Sequence, residues 1–432
     1  MTRALAVTAI ALALGCGDAS TPPPPAPAPP PVEWSDAWLL AQAPPYLADA
    51  SARRAALEAS LTNPANLYSR IRLAAYGLAT RGWDLLPVWN PRSVPVTDAL
   101  LPTLARGELP ALPTDRAPLW DGVTPTTMPA WIELGRRVFF EYPMRAEVFM
   151  EYALTEPALA AEVGVERTRD GTLPGLVVFA NVDGETRVGI TCAICHATVK
   201  DGELVIGQAR RTFDYGKLRL TFDRVHRTVR SPEEARRMAS WGPGRADVTE
   251  DDDEDPVAIP DLWGLRDQRW LTQAGTIRHA SPLALAIRQE TQLTDSNHAR
   301  VRPPRELAWA LTMYLYSLSP PPSHAAPSPR GAELFAEHCA RCHANAAFGG
   351  NPIAATTIGT DPALATGRGR GTGKYRVPTL LGVRDGAPYL HHGAVGSLAE
   401  LLSPDRREPG HRAGTELAPA DREALIAFLE TL

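Results

Sequence analysis

Apolar positions three and four residues apart recur along much of this chain and predict a mainly helical protein. The clearest predicted helices cover Leu134–Tyr142, Arg305–Leu318, Gly331–Cys339 and Asp421–Leu432. An earlier segment shows the same spacing at Leu67, Ile71, Ala74 and Leu78, which predicts a helix that buries these four side chains on one face. Pro143 is expected to end the first of the clear helices.

Two short apolar segments on either side of an Asp-Gly pair occur twice and predict β-hairpins. Leu176–Val182 and Glu185–Ile190 flank the pair at 183–184, and Thr198–Lys200 and Glu203–Ile206 flank the pair at 201–202. Asp-Gly is a preferred two-residue hairpin turn because its residues tolerate positive φ. Small antiparallel strands are therefore expected on both sides of residues 191–197.

A nine-residue repeat indicates two related domains. Ile259–Asp267 (the first signature) aligns without a gap with Val377–Asp385 (the second signature), and a predicted helix follows each copy. A proline-rich linker at 319–329 separates the copies. The predicted domains are residues 126–318 and 330–432, preceded by a helical N-terminal region at 34–125.

Two copies of Cys-x-x-Cys-His, the first motif (Cys192–His196) and the second motif (Cys339–His343), carry the candidate chemistry. Two thiols at this spacing can add to the vinyl groups of one porphyrin, and the adjacent imidazole then binds the iron. A closed zinc site needs four ligands and a redox dithiol needs no following histidine, so both alternatives are disfavoured. The sequence predicts two haems c, attached through Cys192, Cys195, Cys339 and Cys342, with His196 and His343 as proximal ligands.

The first residues predict export from the cytoplasm. Arg3 precedes the apolar stretch Ala4–Leu14, which is shorter than the roughly 20 residues that a membrane-spanning helix needs. Cys16 follows in a setting that resembles a bacterial lipoprotein signal, so residues 1–16 are interpreted as a signal and Cys16 as its lipidated residue. An ordinary secretion signal is the alternative. Residues 17–33 are expected to form an extended proline-rich spacer, and the predicted location is the periplasm or cell envelope.

Composition limits the remaining possibilities. A chain of 432 residues with 44% hydrophobic content can form two or three domains, each with its own core. The formal net charge of -5 provides no basic field for nucleic acid. The 42 prolines favour loops and short helices, and no disulfide is expected because the four motif cysteines are used by haem.

Val377–Leu398, which begins with the second signature, resembles the bacterial di-haem cytochrome c peroxidase and MauG superfamily. The segments Trp-Gly-Pro-Gly-Arg-Ala-Asp at 241–247 and Gly-His-Arg-Ala-Gly-Thr at 410–415 are more similar to its rubber-oxygenase-type branch. The resemblance covers about residues 130–432. It implies a mainly α fold with two class I cytochrome c-like helical domains in tandem, together with small β-hairpins and the helical N-terminal extension.

For the C-terminal haem, the resemblance implies a six-coordinate iron that transfers electrons, with His343 as one ligand. Peroxidases of the superfamily supply a methionine where this chain has Asp405, and no methionine follows Met313. His411 is the best substitute, and the alternative is a solvated loop histidine. Bis-histidine ligation would lower the reduction potential relative to His/Met.

Two more residues near the second signature are expected to contact the same haem. The resemblance places His391 beside it as a structural or propionate contact, and Arg376 could pair with a propionate. An exposed cation is the alternative for Arg376.

For the N-terminal haem, the resemblance implies the site that meets peroxide or dioxygen, with His196 as the proximal ligand. The candidates opposite the iron are His279, His298 and Met238, and His298 is favoured because it precedes the closing helix. Peroxidases of the superfamily also place a catalytic carboxylate after the first signature. Residues 275–287 contain no acid here, and Glu290 is the nearest carboxylate.

Three functions fit these observations. The first is a di-haem oxidoreductase that uses peroxide or dioxygen at the His196 haem; the second is an electron-transfer cytochrome with both irons six-coordinate; the third is a MauG-like enzyme that modifies another protein. A small cytochrome or cupredoxin, soluble or membrane-bound, is the expected electron partner. The acidic run Glu250–Asp255 could bind calcium, although a solvated acidic loop is the more frequent explanation of such a run.

Overall fold

The computed structural model describes residues 32–77, 82–247, 249, 251 and 253–432. The predicted signal, Cys16 and nearly all of the proline-rich spacer lie outside the described residues, as do Leu78 and two residues of the acidic run. Within the described ranges, none of the helices combines the length and the apolar character that a membrane crossing requires.

The described chain is rich in helices and contains only short antiparallel strands, as the periodicity predicts. The helices are α1 (Asp36–Ala41), α2 (Ala43–Ala48), α3 (Ala50–Ser60), α4 (Leu67–Gly77), α5 (Leu101–Leu104), α6 (Met128–Glu141), α7 (Val148–Thr155), α8 (Pro157–Glu162), α9 (Ala193–His196), α10 (Tyr215–His226), α11 (Pro232–Trp241), α12 (Pro282–Ser296), α13 (Arg305–Ser317), α14 (Pro329–His338), α15 (Ala355–Ile358), α16 (Ala363–Thr366), α17 (Leu398–Leu401) and α18 (Pro419–Leu429). The strands are β1 (Ser93–Thr97), β2 (Arg145–Ala146), β3 (Thr172–Ala180), β4 (Thr186–Ile190), β5 (Ala197–Lys200), β6 (Glu203–Ile206), β7 (Arg245–Ala246), β8 (Val257–Ala258), β9 (Trp270–Leu271), β10 (Ile277–Arg278), β11 (Gly350–Ala354) and β12 (Lys374–Val377). Short 3₁₀ turns cover Trp83–Leu85, Leu265–Asp267 and Val383–Asp385.

Two pairs of helices cross in the same way, one in each predicted haem domain. Helix α6 packs on α13, and α14 packs on α18. A methyl group on Gly135 would overlap the Ala310 carbonyl oxygen, and one on Gly331 would overlap that of Ala424. Only glycine permits these close approaches, so the two crossings use the same local device.

Both predicted hairpins form, but only the second has the predicted two-residue turn. Lys200 pairs with Glu203 there, whereas in the first hairpin Ala180 pairs with Thr186, which leaves residues 181–185 as a longer loop. Strand β3 pairs antiparallel with β4, with Leu176 opposite Ile190, and β5 pairs with β6, with Ala197 opposite Ile206. Strands β1 and β2 complete a four-stranded sheet in the order β1-β3-β4-β2. This sheet ends directly before the first motif, so it fixes the position at which the motif begins.

The N-terminal region shares a core with the first haem domain. Leu39, Tyr46 and Leu57 belong to the same buried cluster as residues of α6, α12 and α13. Tyr46 stacks on Trp309 of α13, with ring centroids 5.5 Å apart. The described part of residues 34–125 therefore shares its packing with residues 126–318, the predicted first haem domain.

Helix α4 is confirmed, but its predicted buried face is wrong. Ile71 is 39% exposed and Ala74 is also exposed, whereas Tyr68 is buried. The Arg72 guanidinium lies over the Tyr68 ring at 3.4 Å and is buried with it. An arginine on an aromatic ring can fill a core position, and an apolar-residue count does not detect this.

The two signatures have the same backbone form and pack against each other. Gly264 and Gly382 both adopt left-handed conformations, with φ 71° in each, and a 3₁₀ turn follows each glycine. A methyl group on Gly382 would overlap the Trp263 ring, and one on Gly264 would press on Thr379. The sequence repeat is therefore also a structural repeat, and its two copies meet in the interior.

Candidate haem sites

The first motif forms one turn of helix directly after strand β4. The backbone N–H of His196 donates to the Cys192 carbonyl at 3.2 Å, which closes this turn. The His196 Nδ1 lies 3.1 Å from the carbonyl oxygen of Pro260 in the first signature. A carbonyl can only accept, so Nδ1 carries the proton and the Nε2 lone pair is left for a metal.

The protonation states of the first motif suit haem attachment. Burial lowers the pKa of His196 to about 4, so the ring is neutral at physiological pH. Burial also raises the pKa of Cys192 to about 12 and that of Cys195 to about 11. A redox dithiol has a lowered thiol pKa, so the raised pKa values of these two cysteines do not favour that alternative.

The second motif follows helix α14 and repeats this arrangement. The backbone N–H of His343 donates to the Cys339 carbonyl at 3.0 Å. The His343 Nδ1 lies 2.6 Å from the Phe348 carbonyl oxygen, and the Pro378 carbonyl of the second signature also acts on this ring. Burial lowers the pKa of His343 to about 4, so this imidazole too presents a neutral Nε2.

A second imidazole faces His343. The ring centroids of His343 and His411 are 6.5 Å apart with an interplanar angle of 70°. An imidazole nitrogen binds a transition metal at about 2.0 Å and lies about 1.2 Å from its ring centre, so two imidazoles on one iron place their centroids about 6.4 Å apart. The spacing of these two histidines therefore fits a bis-histidine haem iron.

The backbone holds His411 in this position. Its φ is 44°, a left-handed conformation, and its N–H donates to the Ile358 carbonyl at 2.8 Å. Its Nδ1 is buried without a hydrogen-bond partner among the described residues. Asp405, which stands where the superfamily has a methionine, is exposed. A solvent-exposed loop histidine would not need this hydrogen bond to Ile358.

His391 and Arg376 lie close to the second signature. The His391 ring stacks between Tyr375, at 4.1 Å, and His392, at 4.2 Å, and burial lowers its pKa to about 3. The Arg376 Nε is buried without a hydrogen-bond partner among the described residues, and burial lowers the pKa of Arg376 to about 10. An unpaired buried guanidinium is suited to an anionic group such as a propionate, so Arg376 fits its predicted contact.

His279 is fully buried and uses both ring nitrogens within the protein. Nδ1 lies 2.6 Å from the Gln268 carbonyl oxygen and Nε2 lies 2.5 Å from the Tyr316 hydroxyl. Nδ1 must donate to the carbonyl, so Nε2 accepts from Tyr316 and has no lone pair for iron. The structure therefore gives His279 a hydrogen-bonding role and does not support it as a distal ligand.

The other two distal candidates also lie apart from the first motif in their contacts. His298 is exposed at the end of α12, in a left-handed conformation with φ 54°. Met238 packs on α10, where its carbonyl approaches Gly216. Neither position lends structural support to a ligand role, and both assignments stay predictions.

Glu290 belongs to an ion-pair network of the N-terminal region. It accepts a hydrogen bond from the Tyr46 hydroxyl at 2.9 Å and lies 3.5 Å from the Arg305 guanidinium. Burial raises the pKa of Glu290, and Arg305 opposes that shift. These contacts give Glu290 a structural role, and nothing in its surroundings supports the predicted acid-base role at His196.

Arg288, two residues before Glu290, faces the first motif and was missed by sequence reasoning. Burial is the main cause of the lowered His196 pKa, and the charges of Arg211 and Arg288 add to it. Two positions along a helix correspond to a rotation of about 200°, so the two side chains point to opposite sides of α12. Without that geometry, nothing distinguishes Arg288 from the other arginines of the chain.

The acidic run remains a calcium prediction without support. The Thr249 hydroxyl lies between Asp247, at 2.7 Å, and Asp251, at 3.0 Å, and Asp251 also accepts from the Gly369 N–H at 2.6 Å. Burial, with the charges of Asp247 and Asp251, raises the pKa of Asp255 to about 7. Among the residues that the structure describes, no group of three or more His, Cys, Asp or Glu side chains is arranged to hold a metal ion.

Comparison with known proteins supports a haem protein. A family described as "RoxA-like, cytochrome c-like" matches residues 373–411, the segment that contains the second signature and ends at His411. This match implies covalently bound haem c and a haem-dependent oxidoreductase in general. No curated protein is similar to the chain. One solved structure, titled "Crystal structure of a MauG-like protein associated with microbial copper homeostasis", matches at 17% identity and a TM-score of 0.30, over 44% of this chain and 79% of the other.

Proposed function

We propose that this protein is an exported di-haem c-type cytochrome oxidoreductase of the peroxidase and MauG type. In this proposal the haem of the second motif transfers electrons and the haem of the first motif reacts with peroxide or dioxygen. The observation that carries the proposal is the difference between the two proximal histidines. His343 faces His411 at 6.5 Å, whereas His196 makes no ring contact with any imidazole that the structure describes.

The residues around each motif support this division. His343 and His411 together would fill both axial positions of one iron, which suits electron transfer with little rearrangement. At the other site, the Pro260 carbonyl holds the His196 proton on Nδ1 and so orients Nε2. Bound haem would supply reversible one-electron chemistry and, where one axial position is open, a binding site for peroxide or dioxygen.

The two sites are connected through the signatures. Trp263 of the first signature is fully buried against Gly382 of the second. Arg211, which follows the first motif, donates to the carbonyls of Gly386 and Ala387 beside the second signature. Lys200 pairs with Asp385 at 2.7 Å. This direct contact supports electron exchange between the two haems, and a small cytochrome or cupredoxin is the proposed external partner.

Low-temperature electron paramagnetic resonance tests the proposal. The purified holoprotein is measured oxidised and half-reduced, each before and after hydrogen peroxide. We expect one low-spin ferric signal from the bis-histidine haem and one high-spin signal that peroxide consumes. Two low-spin signals that peroxide leaves unchanged would instead indicate an electron-transfer cytochrome.

A His411→Ala variant is the matched control. It should add a second high-spin signal and leave the peroxide reaction of the first haem intact. A protein-modifying enzyme would be recognised by a mass change in a co-purified partner after peroxide treatment.

Export and anchoring at Cys16 are part of the same proposal. A Cys16→Ser variant should still acquire both haems but appear in the soluble periplasmic fraction, because only the lipid attachment is removed. Retention in the membrane fraction would contradict the anchor, and loss of haem together with cytoplasmic retention would show that Cys16 is needed for export itself.

A further inference from the structure

A buried tyrosine-carboxylate pair lies in the first haem domain and has no role in the function proposed above. The Tyr215 hydroxyl donates to Glu147 Oε2 at 2.7 Å, and Glu147 is 2% exposed. Arg145 binds both partners, with Nη2 2.6 Å from the Tyr215 oxygen and Nε 2.8 Å from Glu147 Oε2. Glu147 Oε2 therefore lies within hydrogen-bond reach of the phenolic proton and of the Arg145 guanidinium at the same time.

Tyr215 is also stacked on a second oxidisable ring. Its centroid is 6.0 Å from that of Trp241, with an interplanar angle of 30°. The Trp241 Nε1 is buried without a hydrogen-bond partner among the described residues, and the Arg219 guanidinium lies 5.8 Å from its ring. The same guanidinium lies 5.7 Å from the Tyr215 ring, so this cation does not distinguish the two rings. The proton acceptor does, because a tryptophan with no base for its proton is harder to oxidise than a tyrosine that can pass its proton to a carboxylate. The geometry therefore favours Tyr215 as the site at which an electron is lost.

This pair adjoins the first motif. Cys195 and Tyr215 pack against the same apolar cluster, which includes Ile194 and Phe213. The charge of Arg145 acts on the Cys195 thiol as well as on Tyr215. Tyr215 and the predicted thioether cysteine Cys195 therefore border the same apolar cluster.

Two other tyrosines donate to carboxylates but lie elsewhere. Tyr46 donates to Glu290, and Tyr76 donates to Asp84 at 3.0 Å. Tyr76 and Asp84 belong to the N-terminal region, and their partners among the described residues (Ala50, Arg53, Trp83 and Arg305) lie outside both motifs. Tyr76 is thus a control with the same hydrogen-bond chemistry in a different place.

We infer that Tyr215 and Glu147 form a proton-coupled redox site that supplies an electron to the first haem. Tyr215 loses one electron while its phenolic proton moves to Glu147, which leaves a neutral tyrosyl radical beside a protonated carboxyl group. The electron goes to the haem centre of the first motif after a peroxide has oxidised it. That oxidation removes two electrons from the haem centre. Together with two protons from solvent, these electrons convert hydrogen peroxide into two waters. Tyr215 returns one of the two electrons. The inference rests on the proposed peroxide reaction.

The test measures the tyrosyl radical itself and does not depend on enzymatic turnover. Full-length holoprotein is mixed with hydrogen peroxide, frozen within milliseconds to seconds, and measured by electron paramagnetic resonance near g 2. We expect an organic radical whose hyperfine structure narrows when the protein carries ring-deuterated tyrosine but not ring-deuterated tryptophan. Tyr215→Phe should lower this signal at least tenfold, and Glu147→Gln should slow its appearance at least tenfold. Tyr76→Phe should leave it unchanged.

A second arm separates this inference from the proposed function. Photogenerated tris(bipyridine)ruthenium(III) replaces peroxide as a one-electron oxidant, and tyrosyl absorbance is followed after the flash. A signal that Tyr215→Phe removes in this arm supports the site even if peroxide does not react with the haem. A radical of equal size and shape in Tyr215→Phe, in either arm, overturns the inference, as does a radical that deuterated tryptophan alone narrows. Haem content and far-ultraviolet circular dichroism of each variant confirm that it is folded.

Discussion

Replacing His279 by Phe separates a structural histidine from a haem ligand. The change keeps an aromatic ring of similar size but removes the hydrogen bonds to Gln268 and Tyr316. Each buried partner left unpaired costs about 1 to 3 kcal/mol, so the expected loss in free energy of unfolding is about 2 to 6 kcal/mol. Tyr316→Phe removes only the second bond and should cost about 1 to 3 kcal/mol.

The pH dependence gives an independent measure of the same histidine. Burial lowers the pKa of His279 to about 4 in the folded protein, whereas an exposed histidine has a pKa near 6.5. In the unfolded chain, His279 therefore binds a proton below about pH 6.5, whereas in the folded protein it does so only below about pH 4. Above about pH 6.5 the ionisation of His279 does not reduce the free energy of unfolding. As the pH falls from about 6.5 to about 4, the free energy of unfolding decreases. A difference of about 2.5 pKa units corresponds to roughly 3 kcal/mol.

The assay is urea unfolding of the holoprotein, followed by circular dichroism at pH 7.5 and at several values down to pH 4.5. The wild type should lose stability more steeply over this range than His279→Phe, because the variant lacks the proton uptake. The visible spectrum of both haems should be identical in the wild type and in both variants. A shift of either Soret band in His279→Phe, or equal acid sensitivity of variant and wild type, would refute the reasoning.

Four further changes test the site and the fold. His411→Ala should convert one low-spin haem to high-spin while both haems stay covalently bound, and an unchanged spectrum would remove His411 from the ligand set. Replacing Cys192 and Cys195 together by Ala should reduce the haem content from two to one per chain, measured by pyridine haemochrome absorbance; two retained haems would contradict the first motif. His298→Ala should leave the resonance spectrum unchanged because its side chain is exposed, and loss of a low-spin signal would restore it as a ligand. Gly331→Ala should lower the free energy of unfolding by about 2 to 3 kcal/mol, because a methyl group would overlap the Ala424 carbonyl. Gly107→Ala provides a contrast, because Gly107 has open space around it and a left-handed backbone (φ 73°), so its cost reports backbone strain without overlap.

Helical periodicity and turn chemistry were sufficient to predict most local elements. The Asp-Gly pairs predicted both hairpins because that turn is specified by two adjacent residues. The face of α4 was predicted wrongly because Arg72 is buried on Tyr68, and an arginine is counted as polar by any hydropathy scale. Local rules therefore succeed where adjacent residues specify a turn and fail where a polar side chain takes a buried position.

The packing between elements could not be predicted from the sequence. In the second haem region, Gly331 of the crossing helix stands eight positions before Cys339. In the first, Gly135 is separated from Cys192 by helices α7 and α8 and strands β2–β4. The helix crossing at Gly135 is the same, but no short motif links it to the haem cysteines. Only the shared overlap with a helical carbonyl reveals that the two helices correspond.

The site was predictable where chemistry demands contiguous residues. The Cys-x-x-Cys-His spacing specifies thiols and proximal histidine within five positions, so both motifs could be identified directly. The carbonyls that orient His196 and His343 could not be, because any residue can supply a carbonyl oxygen. Glu290 shows the converse error, since a carboxylate near in sequence points away from the motif and binds Tyr46.

The difference between the two haem regions follows from the signatures themselves. Both signatures provide a proline carbonyl, from Pro260 and Pro378, that acts on the proximal imidazole, so the proximal side is duplicated. The distal side is not, because His411 sits on a left-handed backbone anchored to Ile358, whereas His298, the nearest counterpart in the first region, is exposed. Among the described residues, a second histidine ring therefore lies beside the proximal imidazole of the second motif but not beside that of the first. That asymmetry makes the reactivity of the His196 haem toward peroxide the decisive property to measure.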